Sequence, residues 1–312
     1  MVSFSMNEQF ASEPEAVRGH LSLKHLLDKF GPSAGRYLVA YPGQWRAQVE
    51  AQCAGLGELE VERVKTLMRR AKERMQVIGG ATMPYAPGVS WLENSLKFLE
   101  SGSGRRLAGL VVAPRDPPTK HHSVFEFNDF ELPPTSEETM RTTPEVFVRV
   151  SGVLLRTSAE LGFVDPYLDP CKPYCSMVLK EMFRAAAAGK CESIRLWCRR
   201  ASPLSERDEA DLRAALLDLL PKTERTLKLR LSFVDDTRSR VRMHARYLLT
   251  MYGGIRFDQG FQQLRDGRAM DVAPIAPAVF DEAWRTFFEN RNDFRWASPP
   301  IMVVKNASNP VA

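Results

Sequence analysis

Alternating apolar strands and amphipathic helices predict an α/β protein, with an N-terminal α/β domain followed by a C-terminal layered α/β domain. Three observations carry this. From Leu161 onward, period-two and helical apolar patterns alternate in the order β-α-β-α-β-β-β. The N-terminal half sets strand candidates at residues 36–41 and 107–113 among helices. Between the halves, proline-rich stretches shift the composition. The expected layout is a first domain over 1–113, a connection over 114–145, a second domain over 146–296 and an irregular tail over 297–312.

Taken in order, residues 1–20 are polar and expected to be loose. Leu23, Leu26, Leu27 and Phe30 mark a short helix closed by Gly31-Pro32. The strand at 36–41 ends at Pro42-Gly43, and a helix from Trp45 to Cys53 follows. Leu59, Val64, Leu67, Met68, Ala71 and Met75 predict a helix over residues 58–77. Another helix, over residues 90–99, leads to a buried strand at 107–113. Asp116-Pro117-Pro118 and Leu132-Pro133-Pro134-Thr135 bracket the connection, around a strand-like Val124-Phe125-Glu126-Phe127. In the second half, strands are expected at 161–167, 193–198, 226–234, 243–250 and 254–257. Helices are expected at 174–188, 205–220 and 280–290. Ser205-Glu206-Arg207-Asp208 opens the second of these with an acceptor and early acidic residues.

The chain has 312 residues, 44% hydrophobic and 26% charged, which excludes disorder as its overall state. No apolar run reaches the roughly 18 residues of a membrane-spanning helix. No secretory signal opens the chain, and its five cysteines are an odd number, so reduced thiols and a cytoplasmic location are expected. A net charge of +5 is too small to argue for nucleic acid by itself. The basic set is 31 Arg and 12 Lys. Genomic composition bias accounts for that excess, and so does a need for forked phosphate donors. Position separates the two.

His244-Ala245-Arg246-Tyr247-Leu248-Leu249-Thr250 is the segment with chemical content. Read as a strand, it puts His244 and Arg246 on one face, about 7 Å apart. An imidazole beside a guanidinium suits a phosphodiester: the first attacks phosphorus or moves a proton, the second holds the non-bridging oxygens. Gly253, Gly254 and Gly260 would let backbone amides approach the same anion. Arg238, Arg240 and Arg242 alternate just before His244 and would extend the face into a basic track. A surface histidine beside a charged residue on an edge strand has the same pattern.

His244-x-Arg246, the turn at Gly253-Gly254 and Ile255-x-Phe257-x-x-Gly260-Phe261 resemble the signature of phospholipase D-like domains, over about residues 150–265. The upstream Phe163-Val164-Asp165-Pro166-Tyr167 agrees with it. In the active superfamily the motif is His-x-Lys-x4-Asp followed by Gly-Ser-x-Asn, and two copies build one site. Here Arg246 stands for the Lys, Met251 for the Asp, and Asp258-Gln259-Gly260-Phe261 for the last segment. No second copy is present, since His121-His122 continues as Ser123-Val124. The closer likeness is to a divergent His-x-Arg branch, similar to the C-terminal domain of MIT-domain proteins and bacterial relatives.

That resemblance implies phosphodiester binding without turnover. The ligand would be nucleic acid, and the protein a component of a bacterial multi-protein system such as phage defence. Arg246, Arg242, Arg240, Gly253 and Gly254 would hold phosphate, with Asp165 and Asp258 in support. One alternative is a metal-independent nuclease or phosphodiesterase working as a homodimer through His244. Another is a scaffold for other protein subunits. No cofactor and no metal is expected. Cys171-x3-Cys175 and Cys191-x6-Cys198 have the wrong spacing for zinc knuckles and read as core residues. Asp165 and Asp169, two carboxylates at a strand end, suit a site or a structural turn. Arg69, Arg70, Lys72 and Arg74 share a helix with Glu58, Glu60, Glu62 and Glu73, and so read as a self-paired solvated face. Walker, dinucleotide-binding, zinc-protease and nucleophile-elbow motifs are absent from the sequence.

Overall fold

The structure is a computed structural model that describes residues 6–79, 84–100, 107–114, 121, 123–129, 137–240, 242–265 and 268–306. The chain divides into two units, residues 1–135 and 136–312. Both units are α/β.

Unit 1 contains β1 (Glu8–Ser12), α1 (His20–Leu27), β2 (Arg36–Ala40), α2 (Trp45–Gln52), α3 (Glu58–Glu73), β3 (Val77–Gly79), α4 (Trp91–Glu100), β4 (Leu107–Val112) and β5 (Val124–Glu126). Its strands run parallel in the order β3-β2-β1-β4-β5. One face packs Phe10, Leu38 and Val111 against α1, α2 and α3. The other packs Ala11, Val39, Leu110 and Val112 against α4 through Trp91. Burial on both faces explains the apolar runs of β2 and β4.

Two expectations fail in this unit. Residues 8–12 are not loose but form the central strand, with Phe10 and Ala11 fully buried. Glu8, Gln9 and Ser12 make the segment read as polar, and only pairing on both sides reveals its place. The helix expected to run to Val77 stops at Glu73, because Met75 takes a left-handed φ of 53° and turns the chain into β3.

Unit 2 contains β6 (Glu138–Arg141), α5 (Pro144–Thr157), β7 (Glu160–Val164), α6 (Pro173–Ala187), β8 (Ser193–Arg199), α7 (Glu206–Leu219), β9 (Leu227–Asp235), β10 (Tyr247–Thr250), β11 (Gly253–Phe257), β12 (Ala269–Pro274), α8 (Pro277–Phe287), β13 (Arg295–Trp296) and β14 (Ile301–Lys305). The sheet order is β13-β9-β8-β7-β10-β11-β12-β6, with β14 also on β9. β7, β8 and β9 are parallel, joined through α6 and α7, and the remaining pairs are antiparallel. Ser205 caps α7 in a reciprocal capping box with Asp208, as its sequence predicts.

Residues 114–145 are not a connection throughout. β5 pairs with β4 in unit 1, and β6 pairs with β12 in unit 2. The tail is not irregular either: Ile301 and Val303 are buried, alternating with exposed Met302 and Val304, so the segment pairs with β9. Asp116-Pro117-Pro118, Leu132-Pro133-Pro134-Thr135, His122 and residues 307–312 lie outside the described residues. Among the described residues, no helix is long and apolar enough to cross a membrane.

Candidate functional site

In open α/β sheets, ligands sit beyond the carboxyl ends of the parallel strands, where strand order reverses. In unit 1 that point lies between β1 and β4, and Glu13 bridges it. The Glu13 amide donates to the Val111 carbonyl (2.8 Å), and its carboxylate accepts from the Ala113 amide (2.9 Å).

In unit 2 the corresponding end gathers the residues after β7, β8 and β9. β7 runs into Asp165-Pro166-Tyr167, and the Asp165 side chain is buried. Its Oδ1 accepts from the Tyr167 amide (2.9 Å) and its Oδ2 from the Phe261 amide (3.2 Å). Arg246, just before β10, brings its Nε to 3.8 Å from Oδ1, and its Nη1 donates to the Asp258 carbonyl (2.6 Å). The Arg246 guanidinium lies 5.3 Å from the Tyr167 ring centre, and that of Arg199 lies 5.0 Å from it. Arg199 also donates to Tyr167 Oη (3.0 Å). Tyr167 is 61% exposed, so its ring is held by two cations and still faces solvent. An open cleft of about 370 Å³ lies alongside, lined by Tyr167, Asp169, Cys171, Arg199, Arg200 and Asp208.

Burial pushes the Asp165 carboxyl above its ordinary range, although the Tyr167 and Phe261 amides and then Arg246 oppose the shift. The folded state therefore binds this proton more tightly than the unfolded chain. The carboxyl's contribution to stability falls as pH rises out of the ordinary carboxylate range, and is level above the folded value. Asp165→Asn, with one acceptor for two amides, should cost about 1–2 kcal/mol. The wild-type advantage over Asn should narrow as pH rises through that window. Urea denaturation across pH measures it, and an advantage that widens with pH contradicts the assignment.

The expected histidine–arginine face does not form. The strand begins at Tyr247 rather than at Met243, since its partner β7 ends at Val164, opposite Tyr247. Asp236 is buried and its Oδ2 takes the Met243 amide (2.7 Å), which ties the chain to the end of β9. His244 is exposed and lines a separate cleft of about 180 Å³ with Glu282, Ala283 and Thr286 of α8. Arg246 instead lies with Asp165 and Gly260. Among the described residues His244 has no hydrogen-bond or ion-pair partner, and thus no orienting carboxylate.

Arg238, Arg240 and Arg242 do not share a strand face either; they lie in the loop after β9. Asp235 accepts from the Thr237 amide (2.9 Å), the Arg240 amide donates to Asp293 (3.1 Å), and the Arg242 guanidinium is 3.8 Å from Asp236. Gly253 and Gly254 are misplaced for phosphate. β10 is antiparallel to β7, so the turn they form is at the opposite end of the sheet from Asp165. A Cβ on Gly254 would meet the Leu248 carbonyl at 2.7 Å, which explains that glycine by packing.

Asp258 contributes its backbone carbonyl to Arg246, while its carboxylate faces Arg256 at 3.4 Å. It also approaches Glu137 and Asp271, and Arg256 pairs with Glu137 too, so that acidic group is compensated. Cys175, Cys191 and Cys198 are buried, and burial pushes the Cys175 thiol up to about 11. The helix α3 carries the pairs Lys65–Glu62 (2.9 Å) and Arg63–Glu60 (3.9 Å). Tyr167 and Arg199 are the site residues that sequence reading missed as a pair. The signal for Arg199 was its place directly after the apolar strand ending at Cys198.

No protein-family model matches this chain. No curated protein matches it. Among solved structures, the archaeal chromatin protein TrmBL2, described as showing a novel mode of DNA binding, is similar at 11% identity and a TM-score of 0.27. That likeness covers 77% of this chain and 86% of the other, and is too low to carry an argument.

Proposed function

We propose that unit 2 binds the phosphodiester backbone of nucleic acid at the sheet end where Tyr167, Arg199 and Arg246 meet, and does not turn it over. The observation that carries this reading is the exposed Tyr167 ring with two guanidiniums close to it. An aromatic face takes a base, and forked donors beside it take the flanking phosphates. Arg199 pairs with no carboxylate among the described residues, so its remaining donors are available to a phosphate oxygen. The loop arginines 238, 240 and 242 follow β9 at the same end, but they face Asp235, Asp293 and Asp236 in turn, so the positive charge of this site rests on Arg199 and Arg246.

The resemblance to divergent phospholipase D-like domains supports the same ligand class. It also suggests a cytoplasmic role with other subunits in a bacterial multi-protein system such as phage defence. The separation of His244 from Arg246 favours binding over catalysis, because nucleophile and phosphate clamp must converge on one phosphorus.

Fluorescence anisotropy with labelled DNA and RNA oligonucleotides at two salt concentrations tests this. Tyr167→Ala should weaken binding about tenfold. Arg199→Ala should weaken it about fivefold and flatten the salt dependence by about one counterion. His244→Ala should leave affinity within about twofold, since imidazole makes no contact there. Unchanged affinity in both Tyr167→Ala and Arg199→Ala removes the assignment. Metal-free cleavage that His244→Ala abolishes would replace it with the homodimeric nuclease.

A further inference from the structure

We infer that the α8 side of the unit 2 sheet carries a second surface, centred on Trp296 and Arg230, that stacks the bases of single-stranded nucleic acid. This rests on nucleic acid being the ligand class proposed above, but uses different residues.

Register places Arg195 beside Arg230 and Trp197 beside Ser232. Trp197 packs with Val234 and α8, so these four side chains lie on the α8 face. β13 brings Trp296 onto the same face: its ring stacks on Trp197 at 5.6 Å and 26°, and the Arg230 guanidinium is 5.6 Å from its centre. Trp296 is nevertheless 47% exposed, so the indole still reaches solvent. β14 extends the surface with Met302 beside Arg230 and Val304 beside Lys228, both about half exposed.

Charge selects the occupant. On β7, β8, β9 and β14 the acid of this face is Glu160, and it is bound to Arg195 (2.6 Å). Arg230 has no carboxylate partner among the described residues, and its buried Nε has no acceptor. Burial and the adjacent Arg195 both work against its charge. Buried Trp197 Nε1 and Ser232 Oγ beside it also lack hydrogen-bond partners. An anion at this point would pair with the Arg230 guanidinium, which no carboxylate of the described residues neutralises. A phosphate next to an exposed indole fits a nucleotide strand, with Lys228 placed for the next phosphate. A flat sheet with an exposed ring takes unstacked bases, which a duplex does not offer.

The test is titration of the full chain with a thymidine 15-mer and with a duplex of equal length, followed by tryptophan fluorescence. The single strand should quench emission, and the duplex at the same concentration should not. Trp296→Leu should remove most of the quench and weaken binding about tenfold, while Trp296→Phe should stay within about threefold of wild type. Arg230→Gln should weaken binding about fivefold and reduce the salt slope by about one. Equal quenching by duplex, or a full quench in Trp296→Leu, overturns the inference. If Trp296→Leu does not fold, Trp296→Phe and Arg230→Gln decide: wild-type affinity in Arg230→Gln overturns it. Quenching that persists while Tyr167→Ala and Arg199→Ala bind normally would reject the first site and keep this one. Loss of binding in those two variants with no Trp296-dependent quench would do the reverse.

Discussion

Replacing Gly260 with alanine should destabilise unit 2 by about 3 kcal/mol, from a left-handed backbone and a displaced buried carboxylate. Gly260 has φ of +75°, a region that costs alanine about 1 kcal/mol or more. Its added Cβ would lie 2.0 Å from Asp165 Oδ2 and 2.9 Å from Arg246 Cδ. Asp165 must then swing away from the Phe261 amide, leaving a buried donor unmatched. Phe261, fully buried against Phe163 and Phe257, limits how far the loop can yield. Because Arg246 is tied to Asp165, nucleic-acid affinity should also fall about tenfold, or about 1.4 kcal/mol. Urea denaturation and the anisotropy titration read the two effects. A stable variant with intact affinity would show that this loop does not set the position of Arg246.

Gly189→Ala should cost unit 2 about 3 kcal/mol as well, through a different collision. Gly189 follows α6, and a Cβ there would stand 2.0 Å from the Arg156 carbonyl oxygen and 2.4 Å from its Cα. These are backbone atoms, so no side-chain rotation relieves the contact. The Arg156 carbonyl already accepts from the Lys190 amide (3.0 Å), which fastens the end of α5 to the chain entering β8. The helix pair α5–α6 would have to separate. Nucleic-acid binding by the folded fraction should be unchanged, since Tyr167 and Trp296 lie outside this contact. A stability loss below about 1 kcal/mol would mean that α5 slides freely over α6.

Much of the parallel core of unit 2 is legible in the chain, because its signals are local. The apolar alternation of β8 and β9, the alanine-rich α6 and the capping box of α7 each specify an element without reference to a distant partner. β1, β6 and β14 escaped because their place depends on strands far along the chain. β1 reads as polar yet pairs on both sides, and β14 is defined by β9, about seventy residues earlier. Their hydrogen bonds are non-local, and short stretches carry little periodicity of their own.

The candidate site divides in the same way. The sequence by itself determined that Asp165 stands at the end of an apolar strand, that His244 and Arg246 lead into Leu248 and Leu249, and that a glycine stands at 260. Only the tertiary structure decided which of them meet. Asp236 holds the Met243 amide and β7 ends opposite Tyr247, so His244 leaves the strand and faces α8. Tyr167 and Arg199 come together across 32 residues because β7 and β8 are parallel neighbours ending at the same edge. The physical reason is that periodicity reports which side of an element a residue takes only while that element persists. Where it stops is set by the hydrogen-bonding partner beside it, which is encoded elsewhere in the chain.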